Sequence, residues 1–216
     1  VLVVFLTPLA GQEVYDLLLK NGHVIDPKSG RNGRFDIAII GDKIARIGKD
    51  LPVAHARNAV DVSRYYVTPG LIDIHTHFNT HGGGLNLQPD PTALSNGVTT
   101  AVDAGSCGWK NFEAFRERVI ARSKTRLLAF LNIAGDGAYS AADELDADAA
   151  ARMVRKYPDM VVGISADHEQ AGRWEVLDRA LKAAELSKSV LMVAVPPTAA
   201  PEHAGRIPVS YTHLRA

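Results

Sequence analysis

From Thr68 onward, short apolar strands alternate with helical segments, and this alternation constrains the fold more than any other feature of the chain. Thr68–His77 (TPGLIDIHTH) is an apolar strand, and Val98–Asp103 (VTTAVD) is β-branched and apolar. Phe112–Ser123 places Phe112, Phe115, Val119 and Ile120 on one helical face. Arg126–Ile133 reads as a strand, and Asp146–Tyr157 as a helix that stops before Pro158. Met160–Ser165 is a strand, Trp174–Leu186 a helix, and Val190–Val195 a strand ended by Pro196 and Pro197. Strands apolar on both faces and separated by helices predict a parallel sheet covered by helices. We count five such strands. A doubly wound sheet would also hold five, but no GxGxxG turn follows the first strand. A (β/α)8 barrel takes about 250 residues. The sequence therefore predicts an α/β fold: an incomplete (β/α)8 TIM-type barrel, with residues 67–208 as its N-terminal half.

Residues 14–66 read differently. Val14–Lys20 is apolar, Asn21-Gly22 is a hairpin turn signal, and His23–Asp26 is a short strand ended by Pro27. Phe35–Ile40 and Lys43–Gly48 flank a turn at Gly41-Asp42, and Ala59–Val62 is a further strand. Short strands with Gly, Asn and Asp turns predict a small antiparallel β unit from Val14 to Tyr66.

The two ends stand apart. Val1–Ala10 (VLVVFLTPLA), followed by Gly11 and Gln12, resembles the apolar and cleavage regions of a secretory signal peptide. Residues 1–13 are read as the remnant of such a signal, and the protein as periplasmic or secreted, with a cytoplasmic location as the alternative. A buried first strand is the competing reading of the segment, against which Pro8 counts. The segment is too short to span a membrane as a helix. Val209–Ala216 (VSYTHLRA) resembles the conceptual translation of a transposase-type sequencing adapter. Residues 209–216 are therefore read as a non-native tail on a metagenomic fragment, and His213 is given no role.

Equal numbers of basic and acidic residues, 24 of each, leave no net charge. A nucleic-acid or anionic-membrane partner would need a basic surface, so neither is expected. Cys107 is the single cysteine, which excludes an internal disulfide and a CxxC metal site.

The chemistry is concentrated at the end of Thr68–His77. Residues two apart on a strand point to one face, so His75 and His77 project together, about 6.5–7 Å apart along the strand. Both lie at the C-terminal end, where barrel enzymes place their active sites. Two neutral imidazoles on one face can hold one divalent cation, typically zinc. A lone buried histidine would more readily be satisfied by backbone; two in phase after a Pro-Gly turn favour metal ligation.

This combination resembles the amidohydrolase superfamily, whose first barrel strand carries an HxH pair. The resemblance runs from about Tyr15 to Val195 through YDLLLKNGHVID, DKIARIG, VTPGLIDIHTH, NGVTTAVDAGS and WKNFEAFRERVIARS. NGVTTAVDAGSCGWKNF is similar to the amidohydrolase/deacetylase branch, related to dihydroorotase and hydantoinase. The resemblance implies a metal barrel flanked by a β-sandwich, of which residues 14–66 are the N-terminal part. It implies a metal-dependent hydrolase of non-peptide C–N bonds, of cyclic-amide or N-acyl type. One or two divalent ions, most typically Zn2+, would be the cofactor and a small molecule the substrate, in a possible homo-oligomer. It also implies a carboxylated lysine on the fourth strand, histidines on the fifth and sixth, and a general-base aspartate on the eighth. Here the fourth strand reads VVGIS, so Ser165 stands at the lysine position, and a serine cannot be carboxylated and is a poor zinc ligand. Either one metal is used, or Asp167 or His168 reaches the site. Ala194 stands where a fifth-strand ligand is expected. The sixth to eighth strands are absent, so the chain itself is expected to be inactive and poorly soluble. A degenerate binding protein on the same fold is the alternative.

Other residues carry weaker signals. Asp103 either lines the pocket and orients a ligand histidine, or serves a turn or helix cap. His81, in HGGGL, either contacts substrate or is a solvated loop histidine. Gly82–Gly84 lacks the lysine of a phosphate cradle. Asn132, ending the third strand, either faces the substrate or is structural. Trp109 and Trp174 read as packing residues. Cys107 has no partner base, and Ser106 does not lie in a GxSxG elbow. Asp143, Glu144, Asp146 and Asp148 precede a helix, where carboxylates favour the N-terminus and face water.

Overall fold

The computed structural model describes residues 14–78, 87–138, 144–167 and 174–194. Val1–Ala10, His81, Gly82–Gly84, Asp143, His168 and the tail with His213 lie outside the described residues. The chain divides into two units between Pro69 and Gly70.

The first unit is a mixed sheet organised around one long strand, β1 (Tyr15–Asp26). β2 (Arg31–Ile40) pairs antiparallel with β1, and β3 (Lys43–Gly48) antiparallel with β2. β4 (Ala56–Asp61) and β5 (Tyr66–Val67) both pair with β1 in parallel. The expectation of an antiparallel unit is thus corrected: a short 3-10 turn at Val53–His55 and the chain around it carry the backbone across to run alongside β1.

The expected hairpin at Asn21-Gly22 is also corrected. β1 continues through it, with a register shift between Leu19 and Gly22 that marks a bulge. Asn21 takes the left-handed conformation at φ 64°, which asparagine tolerates in a bulge as it does in a turn. Its N–H donates to Asp36 Oδ1 at 2.8 Å. The chain reverses instead at residues 27–30, where Gly30 has φ 69°.

Asp36 is the buried polar centre of this unit. Its carboxylate accepts from Lys20 Nζ at 2.6 Å and from Leu51 N at 2.9 Å, besides Asn21 N. Burial by itself would raise the Asp36 carboxyl, but these donors outweigh it and hold it below the usual range. Tyr15, Leu18, Ala38 and Leu51 pack beside it as the apolar core.

The second unit is the parallel sheet with helices. Its strands are β6 (Leu71–Thr76), β7 (Val98–Gly108), β8 (Arg126–Asn132), β9 (Val161–Asp167) and β10 (Val190–Ala194). They lie in the order β10-β9-β8-β7-β6, and every neighbouring pair is parallel. A doubly wound sheet reverses its order at a switch point; this one never does. The described sheet is therefore five consecutive strands of a (β/α)8 barrel.

The helices follow the strands. The four-residue α1 (Pro89–Thr92) and a 3-10 turn at Leu94–Asn96 connect β6 to β7. α2 (Phe112–Arg118) follows β7, α3 (Ala147–Lys156) follows β8, and α4 (Trp174–Ser187) follows β9. Asp146 caps α3, its side chain accepting from Ala149 N at 2.9 Å. α3 buries Ala147, Ala150, Ala151 and Val154, spaced at 3 and 4 residues as an inward helical stripe requires. Phe112 and Phe115 anchor α2 in the same core as Leu127, Leu131 and Ile164; each such burial is worth roughly 1.5–3 kcal/mol. Trp109 packs against this core as expected.

Asp90 of α1 ties the first connection down. It accepts from Ser123 Oγ at 2.8 Å, Lys124 N at 3.0 Å, and Thr125 N at 2.9 Å. Hydrogen bonds from the Lys124 and Thr125 amides, opposed by partial burial, hold its carboxyl far below the usual range.

Candidate metal centre

β6 positions the two histidines that the sequence singles out. Asp73, His75 and His77 fall at alternate positions, and Asp73 Oδ1 accepts from His75 N at 3.0 Å. The His75 and His77 rings lie with centroids 5.4 Å apart at an interplanar angle of 75°. His75 is exposed and His77 partly buried. The strand is fixed to its neighbour by Thr76, which pairs with Asp103 in register and donates from Oγ1 to Val102 O at 2.9 Å.

Asp103 lies fully buried on β7, in register with Thr76, the residue between the two histidines. Its Oδ2 accepts from Phe78 N at 2.8 Å and from Ser106 Oγ at 2.5 Å, and its Oδ1 accepts from Ser106 N at 2.8 Å. Burial dominates and raises its carboxyl, against the Phe78 and Ser106 hydrogen bonds and the neighbouring His77, which lower it. Asp103 therefore makes a local turn with Ser106 and also bonds the residue that follows His77. The turn role weighed for it from the sequence is the one these bonds show.

The turn depends on Gly105, which has φ 89°. A Cβ there would stand 1.9 Å from Ser165 Oγ and 3.3 Å from Asn132 Nδ2. Gly105 thus brings together Asn132 and Ser165, which are register partners on β8 and β9. Both are buried. Asn132 Oδ1 accepts from Ala134 N at 2.9 Å, a structural contact at the strand end. Among the described residues, Ser165 Oγ is buried with no hydrogen-bond partner.

The sequence-selected residues thus fall into two adjoining groups along β7. His75, His77 and Asp103 form one; Asn132 and Ser165, meeting at Gly105, form the other. Among the described residues, no cluster of three or more His, Cys, Asp or Glu is assembled that could hold a metal ion. His81 and His168 lie outside the described residues, and the side chains of Asp167, Trp174 and Ala194 are not described. Cys107 is fully buried, which pushes its thiol well up, as does the nearby Asp103 charge; it is no nucleophile. Ser106, Gly105 and Thr76 are site-building residues that sequence reasoning missed. A serine and a positive-φ glycine just after a strand aspartate are the signal for the first two.

No family model matches the chain. A deacetylase of Agrobacterium fabrum is 32% identical over 181 residues, covering 78% of this chain and 44% of its own length. The crystal structure of a dihydroorotase superposes with a TM-score of 0.71 at 31% identity, covering 83% of this chain and 51% of that one. An N-acyl-D-glutamate deacylase from Bordetella bronchiseptica, crystallised with zinc and a phosphonate inhibitor, shares the fold. Its TM-score is 0.59 at 19% identity, with 84% of this chain and 45% of that one covered. The strand order and these likenesses define a partial barrel of the amidohydrolase type. The chain belongs to the amidohydrolase superfamily, among the relatives of deacetylases and dihydroorotases. It spans about half the length of the relatives it matches.

Proposed function

We propose that this chain carries the first part of the active site of a metal-dependent hydrolase of non-peptide C–N bonds, acting on a small cyclic amide or N-acyl compound. The observation that supports this most is the His75–His77 pair, whose rings stand 5.4 Å apart at the end of β6. These side chains supply two imidazole nitrogens, half of a tetrahedral zinc shell. A divalent ion held there would polarise a substrate carbonyl and bring the pKa of water towards neutrality. The chain's own part is to hold the two rings edge to face, with Asp103 as a buried acceptor for the N–H of the next residue, Phe78. The deacetylase and dihydroorotase relatives favour amide chemistry. The apolar Val1–Ala10 sequence favours an exported protein, and no described helix is long and apolar enough to cross a membrane.

Metal analysis of the purified protein after zinc loading tests this reading. The wild type should retain zinc, and His75→Ala with His77→Ala should lose it while keeping the wild-type circular dichroism. Equal zinc content in both proteins would sink the proposal.

A second reading is favoured by Ser165, at the position of the family's lysine, whose buried hydroxyl has no partner among the described residues. Under it, the fold persists as a binding protein without catalysis. Ser165→Lys separates the two: a rise in metal stoichiometry supports the hydrolase reading, and an unchanged value supports the binder.

A further inference from the structure

We infer that the Asp103–Gly105–Ser106 turn is a clasp that positions His77 for cation binding by holding the main chain at Phe78, which makes Asp103 a positioning residue. The inference rests on the metal-site reading of His75 and His77.

The argument starts from the backbone. β6 ends at Thr76, so His77 is one residue beyond the last strand residue. The register between β6 and β7 also slips between Asp73 and Thr76. Ladder pairing alone therefore leaves the His77–Phe78 segment to be held by other means. The Asp103 carboxylate supplies them, accepting from Phe78 N at 2.8 Å.

The carboxylate is itself fixed. Ser106 N binds Oδ1 at 2.8 Å, and Ser106 Oγ binds Oδ2. Gly105, at φ 89°, turns the backbone so that both Ser106 donors face back towards Asp103. Phe78 is in turn only 2% exposed, packed in the core shared with Phe112 and Phe115. His77 is thus bracketed: Thr76 before it is tied to β7, and Phe78 after it is tied to Asp103. Among the described residues, the outer ring, His75, has no such brace from β7, and its N–H donates back to Asp73 Oδ1. His77 is the fixed member of the pair and His75 the adaptable one.

An asparagine at position 103 keeps the volume but replaces one acceptor oxygen with an NH2 group. That group would face either Phe78 N or Ser106 N, both of which are donors. Losing an outer partner of a metal ligand commonly costs 10–100-fold in affinity.

The test is a Co2+ titration of the full chain, followed by visible absorption, with Zn2+ competition. Asp103→Asn should weaken Co2+ affinity at least tenfold and shift the cobalt spectrum. Asp103→Glu should regain part of the affinity. Ser106→Ala removes a single donor to the clasp, and should weaken binding by a smaller factor while keeping wild-type circular dichroism. It serves where Asp103→Asn does not fold. Wild-type affinity and spectrum in Ser106→Ala and in a folded Asp103→Asn would overturn the inference. His77→Ala tells the two failures apart. If it binds Co2+ as the wild type does, the metal-site reading fails. If it alone loses binding, only the clasp fails.

Discussion

Ser165 Oγ lies directly over the α-carbon of Gly105, at 1.9 Å from where a Cβ would be. The two residues are 60 apart in the sequence, yet each sets what the other can be. Gly105→Ala adds a methyl group to this contact and also forces an alanine into φ 89°. Overpacking and positive-φ strain together should cost about 2–5 kcal/mol. Urea unfolding of the variant checks this. Removing the Ser165 side chain in Gly105→Ala/Ser165→Gly should recover only the steric part; a fully additive double mutant would show that the contact is unimportant.

Ser165→Ala should be neutral or stabilising by up to about 1 kcal/mol, because it removes a buried hydroxyl that has no partner among the described residues. The same urea experiment reads it. A loss of more than about 1 kcal/mol would mean that the hydroxyl is bonded in solution.

Asp36 makes the first unit acid-sensitive. Its carboxyl is held below the usual range in the fold and returns to about 3.9 in the unfolded chain. A lowered folded value means that its stabilisation is complete above about pH 4 and is lost as pH falls through the folded value. Hydrogen exchange at β1 amides should therefore be flat from about pH 7 to 5, after correction for intrinsic rates, and should accelerate below about pH 4. Asp36→Asn should lower stability at neutral pH by about 2–4 kcal/mol, since it removes the charge that pairs with Lys20 and leaves that ammonium the Leu51 carbonyl, and should flatten the acid limb. An unchanged acid limb in the variant would contradict this.

Asp90 should protect particular amides. It accepts from Lys124 N and Thr125 N just before β8. In Asp90→Ala those two amides should exchange faster, while the amides of α3 keep their protection. Unchanged exchange at Lys124 and Thr125 would rule out the tie.

The edge strand β6 exposes Leu71, Ile72 and Ile74, each by 58–66%. An exposed apolar strand at a sheet edge invites association. Ile72→Lys with Ile74→Lys should raise soluble recovery of the chain without altering its circular dichroism. Light scattering against protein concentration measures the effect, and equal aggregation in both proteins would count against it.

The sheet of the second unit was legible because each strand is a short apolar run between helical segments. Val98, Arg126 and Val190 mark strand starts in both sequence and structure. The parallel β4 and β5 were not legible, since pairing direction is set by where the connecting chain crosses, and strand composition does not record it. Asn21 was misread because a bulge and a hairpin turn ask the same thing of an asparagine, a left-handed backbone. α1 escaped notice because four residues carry no helical period. At the candidate site, the nearness of the His75 and His77 rings was legible from local spacing alone. The roles of Gly105 and Ser106 were not, because they depend on Ser165 and Asp103 as they meet in space. For Asp103 the sequence offered pocket or turn, and the buried carboxylate serves both Phe78 and Ser106.

The strictly sequential order of β6 to β10 has a bearing on synthesis. Each strand finds its place beside the one translated just before it, so the sheet can lengthen from one side while the remainder of the chain is still in the ribosome. Loops closed in this way are short, and the search for partners is brief. The latest strand to emerge always forms the growing border, and it is there that a nascent chain of this design most needs shielding.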